Sequence, residues 1–317
     1  FGTTELIVAR PAPGRLKSEF LNWLFCAPNF RREGEACMYG AGGQKRVPDD
    51  FVRTLVWAVP PVGEQTAIAH FLDHETAKID ALIAEQEKLI HLLAEKRQAT
   101  LSHAVTRGLD PAAPMKDSGV AWLGEVPAHW EVGAVKRFFR SLDGRRVPLS
   151  AEERGGRQGE FPYYGASGVI DSIDDFIFDE DLVLVSEDGA NLLNRSSPIA
   201  FVATGKYWVN NHAHILKPTD ENVRFWAERI EVIDLEPVVT GAAQPKLTIE
   251  ALMNLPISAP PTNEERAAIG TFIDAETTRL DTLRAEAERA IALLKERRAA
   301  LIAAAVTGQI DVRQNSE

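Results

Sequence analysis

Two short loops carry the residue types with most to offer a ligand. Gly40–Lys45 (GAGGQK) and Gly241–Lys246 (GAAQPK) each combine small residues with a Gln and a Lys. Small residues let a backbone approach its partner closely, a Gln side chain can bond an adenine edge at two points, and a Lys can meet a phosphate or a guanine. The candidates are therefore Gln44, Lys45, Gln244 and Lys246. A tight turn with a solvated Lys explains one such loop as well. Two of them at matching places in the chain favour a binding role. The segment Lys206–His212 (KYWVNNH) adds Lys206, Asn210, Asn211 and His212. Amides and imidazoles suit base edges, and aromatic rings stack on exposed bases; a buried Trp beside a polar turn is the plainer reading. Tyr163–Gly168 (YYGASG), with Tyr164 and Ser167, and Glu187–Asn191 (EDGAN) are Gly-bearing loops at expected strand ends.

Other chemistry is missing from the sequence. No GxxxxGK[ST] phosphate loop occurs, since Thr204-Gly205-Lys206 lacks the upstream glycine and the following hydroxyl. No GxGxxG opens a helix after a strand, and no Cys/His set has zinc spacing. Asn-Pro-Pro-aromatic, which holds the base in amino-methyltransferases, is absent. His212 and His214, two apart in an expected strand, make a weak metal pair. The residues thus point to no catalytic constellation, no metal and no cofactor. Cys26 and Cys37 are the only cysteines; they are read as two buried free thiols, which suits a cytoplasmic location. No apolar run reaches the roughly 18 residues of a membrane helix, so no membrane partner is expected. The net charge of -11 argues against indiscriminate nucleic-acid binding. The only dense basic cluster is Lys136, Arg137, Arg140, Arg145 and Arg146, which suits phosphates or a solvated face, and the acidic run from Asp171 to Asp188 argues against the first.

The elements that must position these loops come in two copies. Pro60–Thr106 and Pro261–Thr307 align without a gap at a shift of about 201, with about 20 of 47 residues identical. Phe71 falls on Phe272, Asp73 on Asp274, Asp80 on Asp281 and Arg97 on Arg298. Apolar residues recur at three- and four-residue steps in both, the stripe of a coiled-coil-like helix. Proline precedes each and Gly108 or Gly308 closes it. Such helices, over Glu64–Arg107 and Glu265–Thr307, are expected to cover their apolar stripes by packing antiparallel on each other. Between them, Asp110–Pro114 is a break and Lys116–Trp130 a linker anchored by two Trp. Glu131–Ala259 reads as a strand-rich domain, with strands near 168–178, 181–186, 198–203 and 213–217 and helices near 224–233 and 248–254. The segment Phe1–Val59 resembles the end of that domain: Glu5–Pro11 parallels Ala213–Pro218, and Tyr39–Lys45 parallels Thr240–Lys246. The front of the first module is expected to be missing. The divisions are 1–59, 60–108, 109–130, 131–259 and 260–317.

KDSGVAWLGEVPAHWEV, YYGASGVID, EDGAN, TGKYWVNNHAHILKP, TGAAQPKL, PPTNEERAAI and LLKERRAALIAAAVTGQID, in this order, resemble the specificity subunits of type I restriction-modification systems. The resemblance covers essentially the whole chain. It implies an α+β protein with two strand-rich target-recognition domains, here one complete and one partial, separated by two long antiparallel helices. Each domain would read one half of a bipartite DNA site, with the helices as the ruler between the halves. The subunit itself would be non-catalytic. Its partners would be DNA, methyltransferase (modification) subunits and the endonuclease/translocase subunit. Two other readings stay open: a coiled-coil scaffold without a DNA role, and a single-chain DNA methyltransferase. Amides clustered at strand ends count against the first, and the missing cofactor and base-holding motifs against the second.

Overall fold

The computed structural model describes residues 7–40, 45–241 and 245–312. Three short helices, α1 (Ser18–Cys26), α2 (Pro28–Ala36) and α3 (Asp49–Thr54), lead into the long helix α4 (Val62–Arg107). A hairpin follows, β1 (Met115–Asp117) and β2 (Glu125–Pro127), then β3 (Glu131–Ala134) and β4 (Phe139–Ser141). Next come α5 (Ala151–Gly155), β5 (Gln158–Gly165), β6 (Gly168–Ile173), β7 (Phe178–Asp179), β8 (Leu182–Ser186) and α6 (Asn191–Asn194). After β9 (Ala200–Ala203), β10 (Lys206–Val209) and β11 (Ala213–Pro218) lie α7 (Val223–Glu231), α8 (Ile249–Asn254), β12 (Pro256–Ala259) and the second long helix α9 (Asn263–Val306). Gly108 and Gly308 end the two long helices at φ +77° and +71°, the left-handed conformation a side chain disfavours.

The chain forms two units, residues 1–93 with 281–317, and residues 94–280. In the first unit Ile68, Ala69 and Leu72, at the start of α4, share a core with Ile302, Ala305 and Val306 at the end of α9. The start of one helix beside the end of the other makes the pair antiparallel. Arg298 grips Asp80 by two hydrogen bonds, 2.8 and 3.1 Å. The same core takes Phe20, Trp23 and Leu24 of α1, and Trp23 donates its indole N–H to Asp73 at 2.9 Å. Gln65 is fully buried and fully bonded: its amide donates to the carbonyls of Arg15 (2.9 Å) and Pro60 (2.8 Å), and its oxygen accepts from the Lys17 amide (2.8 Å). Two expectations are corrected here. Glu5–Pro11, read as parallel to the expected strand Ala213–Pro218, forms no strand over its described residues 7–11, which pair with none of the described strands; residues 5 and 6 lie outside the described set. Cys26 is half-buried, but Cys37 is exposed beyond the end of α2; both are free thiols.

The second unit is built in layers. One sheet has the order β4-β11-β8-β9, the other β6-β5-β10-β7. Every residue of β8 is buried, because both faces of its sheet are covered. Successive side chains of a strand point to opposite faces. Val183 and Val185 accordingly enter the core that holds α7, α8, β12 and the adjoining long-helix turns, while Leu182 and Leu184 enter the core against the second sheet. That first core brings Leu101, Ala104 and Val105, at the end of α4, together with Ile269 and Ile273 at the start of α9, antiparallel again. On the outer face of the second sheet, Tyr163 and Trp208 are capped by the guanidiniums of Arg154 and Arg157. The stretch expected as a plain linker contains the hairpin β1–β2. Its two Trp do anchor it: Trp130 is buried with its indole N–H on Glu265 at 2.9 Å, and Trp122 packs on the same core.

Candidate nucleic-acid interface

At the end of β8, four chain reversals in the second unit are tied together. The Glu187 amide donates to the His212 carbonyl at 2.9 Å, and the Leu247 amide to the Glu187 carbonyl at 2.8 Å. The Gly189 amide reaches the Pro245 carbonyl at 3.0 Å, and Asp188 bridges to Lys246. The Ser186 hydroxyl donates to the Ala166 carbonyl in the turn between β5 and β6. The Asn210 amide donates to the Tyr164 carbonyl at 3.0 Å. The turn at 210–212, the loop 187–191 and the described residues 245–247 are thus tied by backbone bonds, and the turn at 166–167 by the Ser186 hydroxyl.

Six of the sequence-derived residues meet there, in different situations. Ser167 is exposed at the tip of its turn. Tyr164 stacks on Phe201 (centroids 5.8 Å apart) and takes the edge of Tyr207 (5.5 Å), and burial raises its hydroxyl above the ordinary tyrosine value. Asn210 is buried, and its side-chain oxygen accepts the His212 amide at 2.7 Å, so it shapes the turn. Asn211 is exposed. His212 is exposed with Nδ1 2.8 Å from Asp188. Lys246 is half-exposed, its Nζ 3.2 Å from Glu187.

The remaining four do not join them. Lys206 stands at the opposite end of β10, its ammonium over the Phe176 ring at 4.7 Å. Lys45 belongs to the first unit, and Gln44 and Gln244 lie outside the described residues. Lys45 also yields its expected equivalence with Lys246. Tyr39 pairs with Arg46, as Thr240 pairs with Lys246, so Arg46 holds the matching place and the loop in the first unit is one residue longer.

Beneath Lys246 lies a charged cluster that sequence reasoning missed. His214, in β11, is buried with Nδ1 2.6 Å from Asp143 and Nε2 2.9 Å from the Leu247 carbonyl. Its two ring nitrogens thus face a carboxylate and a backbone carbonyl. Arg146 bonds Glu187 at 2.6 Å and lies 3.3 Å from Asp143. Burial acts to raise Asp143, but the bonds from His214 and the Ile215 amide and the charges of His214 and Arg146 outweigh it and hold the carboxyl below its usual range. At Glu187 burial likewise acts to raise the carboxyl, and Arg146, His214 and Lys246 outweigh it and hold it low. Asp143, Glu187 and His214 have ligand atoms within 4.8 Å of one another. The guanidinium of Arg146 already supplies the cation those carboxylates need, so the cluster is an internal ion network. A lone His inside the apolar strand AHILKP was the one signal that could have revealed it. His212, by contrast, lies in the turn ahead of β11 and not in the strand expected for it, and takes a different carboxylate.

The basic cluster is not a free positive face. Arg137 pairs with Glu131, Arg145 with Glu180, Arg146 with Asp143 and Glu187, and Lys136 bonds Asn254. The acidic run is what neutralises part of it.

Residues 127–290 match the family model of the type I restriction modification DNA specificity domain. The chain belongs to that family, the specificity subunits of type I restriction-modification systems. A Haemophilus influenzae protein assigned as the type I restriction enzyme specificity subunit S.HindORF215P is 32% identical over 137 residues, 43% of this chain and 34% of that protein. The Escherichia coli EcoAI specificity subunit is 38% identical over 96 residues, 30% of this chain and 16% of that one. The aligned parts therefore span about a third or less of these curated relatives. Among solved structures, the HsdS subunit from Thermoanaerobacter tengcongensis superposes with a TM-score of 0.51 at 17% identity, covering 92% of this chain and 70% of that one. A chain from a structure of the complex assembly and conformational transition of the type I R-M system gives 0.60 at 18% identity, over 92% and 71%. These two likenesses establish the fold.

Proposed function

We propose that the chain recognises a DNA sequence on behalf of a type I restriction-modification complex and performs no chemistry itself. In this reading the module Glu131–Ala259 reads one half of a bipartite site, the long helices set the distance between the halves, and the subunit docks the modification subunits. The observation that carries it is the joining of four chain reversals at one end of the sheets. They present Ser167, Asn211, His212 and Lys246 outward, on a backbone braced by the ion network beneath. Polar side chains on rigid loops are what base-edge and phosphate contacts require. Gln244 is proposed for the adenine edge and Lys246 for a phosphate, with Gln44 and Lys45 in the corresponding loop of the first unit. Tyr164 and Asn210 support from below. Lys206 would reach only a phosphate beyond the main contact.

The test is selection from random duplexes by the chain assembled with its modification subunits. Enrichment of one bipartite sequence is the expected result. A complex that selects no sequence, or methyl transfer from S-adenosylmethionine by this chain alone, would overturn the proposal.

A further inference from the structure

The hairpin β5–β6 carries an apolar feature that polar readout does not use. Val169 and Ile170 are adjacent, β-branched and exposed, at 55% and 54%. Consecutive residues of a regular strand would point to opposite faces. Here the pairing shifts: Tyr163 lies opposite Asp171 and Tyr164 opposite Val169, so Ile170 is an extra residue without a partner. Such a bulge re-aims a side chain, and bulges recur beside functional sites. The geometry is supported on both sides. Gly168, at φ +125°, turns the chain out of the hairpin loop. A Cβ on Gly165 would come 3.0 Å from Ile170 Cγ2, so the glycine leaves the isoleucine its place.

The pair lies two and three residues from Ser167, in the hairpin whose Ala166 carbonyl is tied to Ser186 of the proposed interface. The neighbouring Asp171 carboxylate is held by Arg154 at 2.9 Å, which reduces its repulsion of a phosphate. Two residues between Ser167 and Asp171 are far smaller than the roughly 800 Å² per partner of a stable protein contact. The major-groove edge of thymine, alone among the bases, presents a methyl group that apolar side chains contact. We propose that Val169 and Ile170 are specificity residues that receive the 5-methyl group of a thymine in the half-site read by this unit. The inference rests on the DNA-reading function proposed above.

The experiment uses the chain assembled with its modification subunits and the duplex obtained by selection. Each thymine of the half-site is replaced in turn by uracil, which removes only the methyl. One replacement should weaken wild-type binding about 3- to 5-fold, the worth of one buried methyl. The double variant Val169→Ser/Ile170→Ser should bind the thymine and uracil duplexes equally. Both side chains are exposed, so the variant should match the wild type in thermal unfolding. Indifference of the wild type to every uracil, a half-site without thymine, or full thymine preference in the variant each overturns the inference and leaves sequence reading intact. Loss of subunit assembly with thymine preference preserved would mark the pair as a protein contact and also overturn it. A complex that selects no sequence at all removes the function and the inference together.

Discussion

At the scale of the residue, the interface separates side chains that touch solvent from side chains that hold them. Lys246 is the clearest of the first kind. Its ammonium rests on Glu187, a contact that a phosphate can replace or share. If it meets a phosphate, Lys246→Ala should weaken binding to specific and scrambled duplexes alike and flatten the salt dependence by about one unit. Titrations at several salt concentrations measure both; an unchanged slope would return the loop to a simple turn. Asp143 is of the second kind, and its pH dependence has a definite sign. Its folded-state value is lowered, so its share of stability is full above the ordinary carboxylate range, about pH 4, and is lost as pH falls through the folded value. Glu187 acts in the same direction. Glu228 and Glu231, raised by burial, act in the opposite one: their share is full below that range and lost as pH rises. Asp143→Asn should therefore lower the urea midpoint at pH 7, and its deficit against the wild type should shrink toward pH 3. A deficit that stays constant would mean the charge of Asp143 is not what His214 and Arg146 use. Of this site, the exposed polar loops were legible because Gly, Asn and Ser at strand ends announce turns. The ion network was not, because its members lie far apart in sequence, at 143, 146, 187, 214 and 246. Lys206 misled for a related reason: a four-residue strand separates it from Asn210 that follows so closely in sequence.

At the scale of the element, the two long helices were legible nearly to the residue, since a repeat doubles the periodic signal. Three strands of the second unit, β8, β9 and β11, were also legible, because runs such as Leu182–Ser186 are apolar throughout and bounded by turn residues; the expected strand 168–178 is two, β6 and β7, and β5 and β10 were not read. The hairpin β1–β2 was hidden in Gly- and Pro-rich sequence, and residues 7–10 carried a strand-like pattern without a partner strand. What the repeat could not reveal is how its copies differ where each long helix begins. Gln65 and Arg266 occupy equivalent places and both bond the carbonyl of a preceding proline, Pro60 or Pro260. Arg266 adds an ion pair with Asp220 at 2.9 Å, whereas Gln65 closes on two further backbone groups. Gln65→Leu keeps the helix but leaves the Arg15 and Pro60 carbonyls and the Lys17 amide without this partner, at roughly 1–3 kcal/mol for each that stays dry. It should cost about 2–4 kcal/mol in urea unfolding. Thr66→Ala, one residue on and exposed, should stay within about 0.5 kcal/mol; equal costs would show that position on the helix, not the hydrogen bonds, decides.

At the scale of the whole molecule, the charge balance is the unresolved tension between composition and proposed role. The chain carries -11 at neutral pH, and many of the cations in the described residues are committed: Arg145, Arg146, Arg154 and Arg157 each face a carboxylate. A protein so built can shape a base-reading surface, but it cannot supply the phosphate neutralisation that dominates DNA affinity. Each neutralised phosphate contributes about 0.9 to the slope of log affinity against log salt. With Arg140 and Lys206 shown on no carboxylate, and Lys246 able to exchange Glu187 for a phosphate, the chain alone should bind weakly, with a slope of about -2 to -3. Assembly with modification subunits should steepen that slope by several units while leaving the preferred sequence that of this chain. The two quantities separate the contributions. A chain alone that already binds with the full slope would mean its own surface clasps the duplex. A preferred sequence that changes when the modification subunit is exchanged for one from another system, with this chain kept, would place the reading of bases outside this protein.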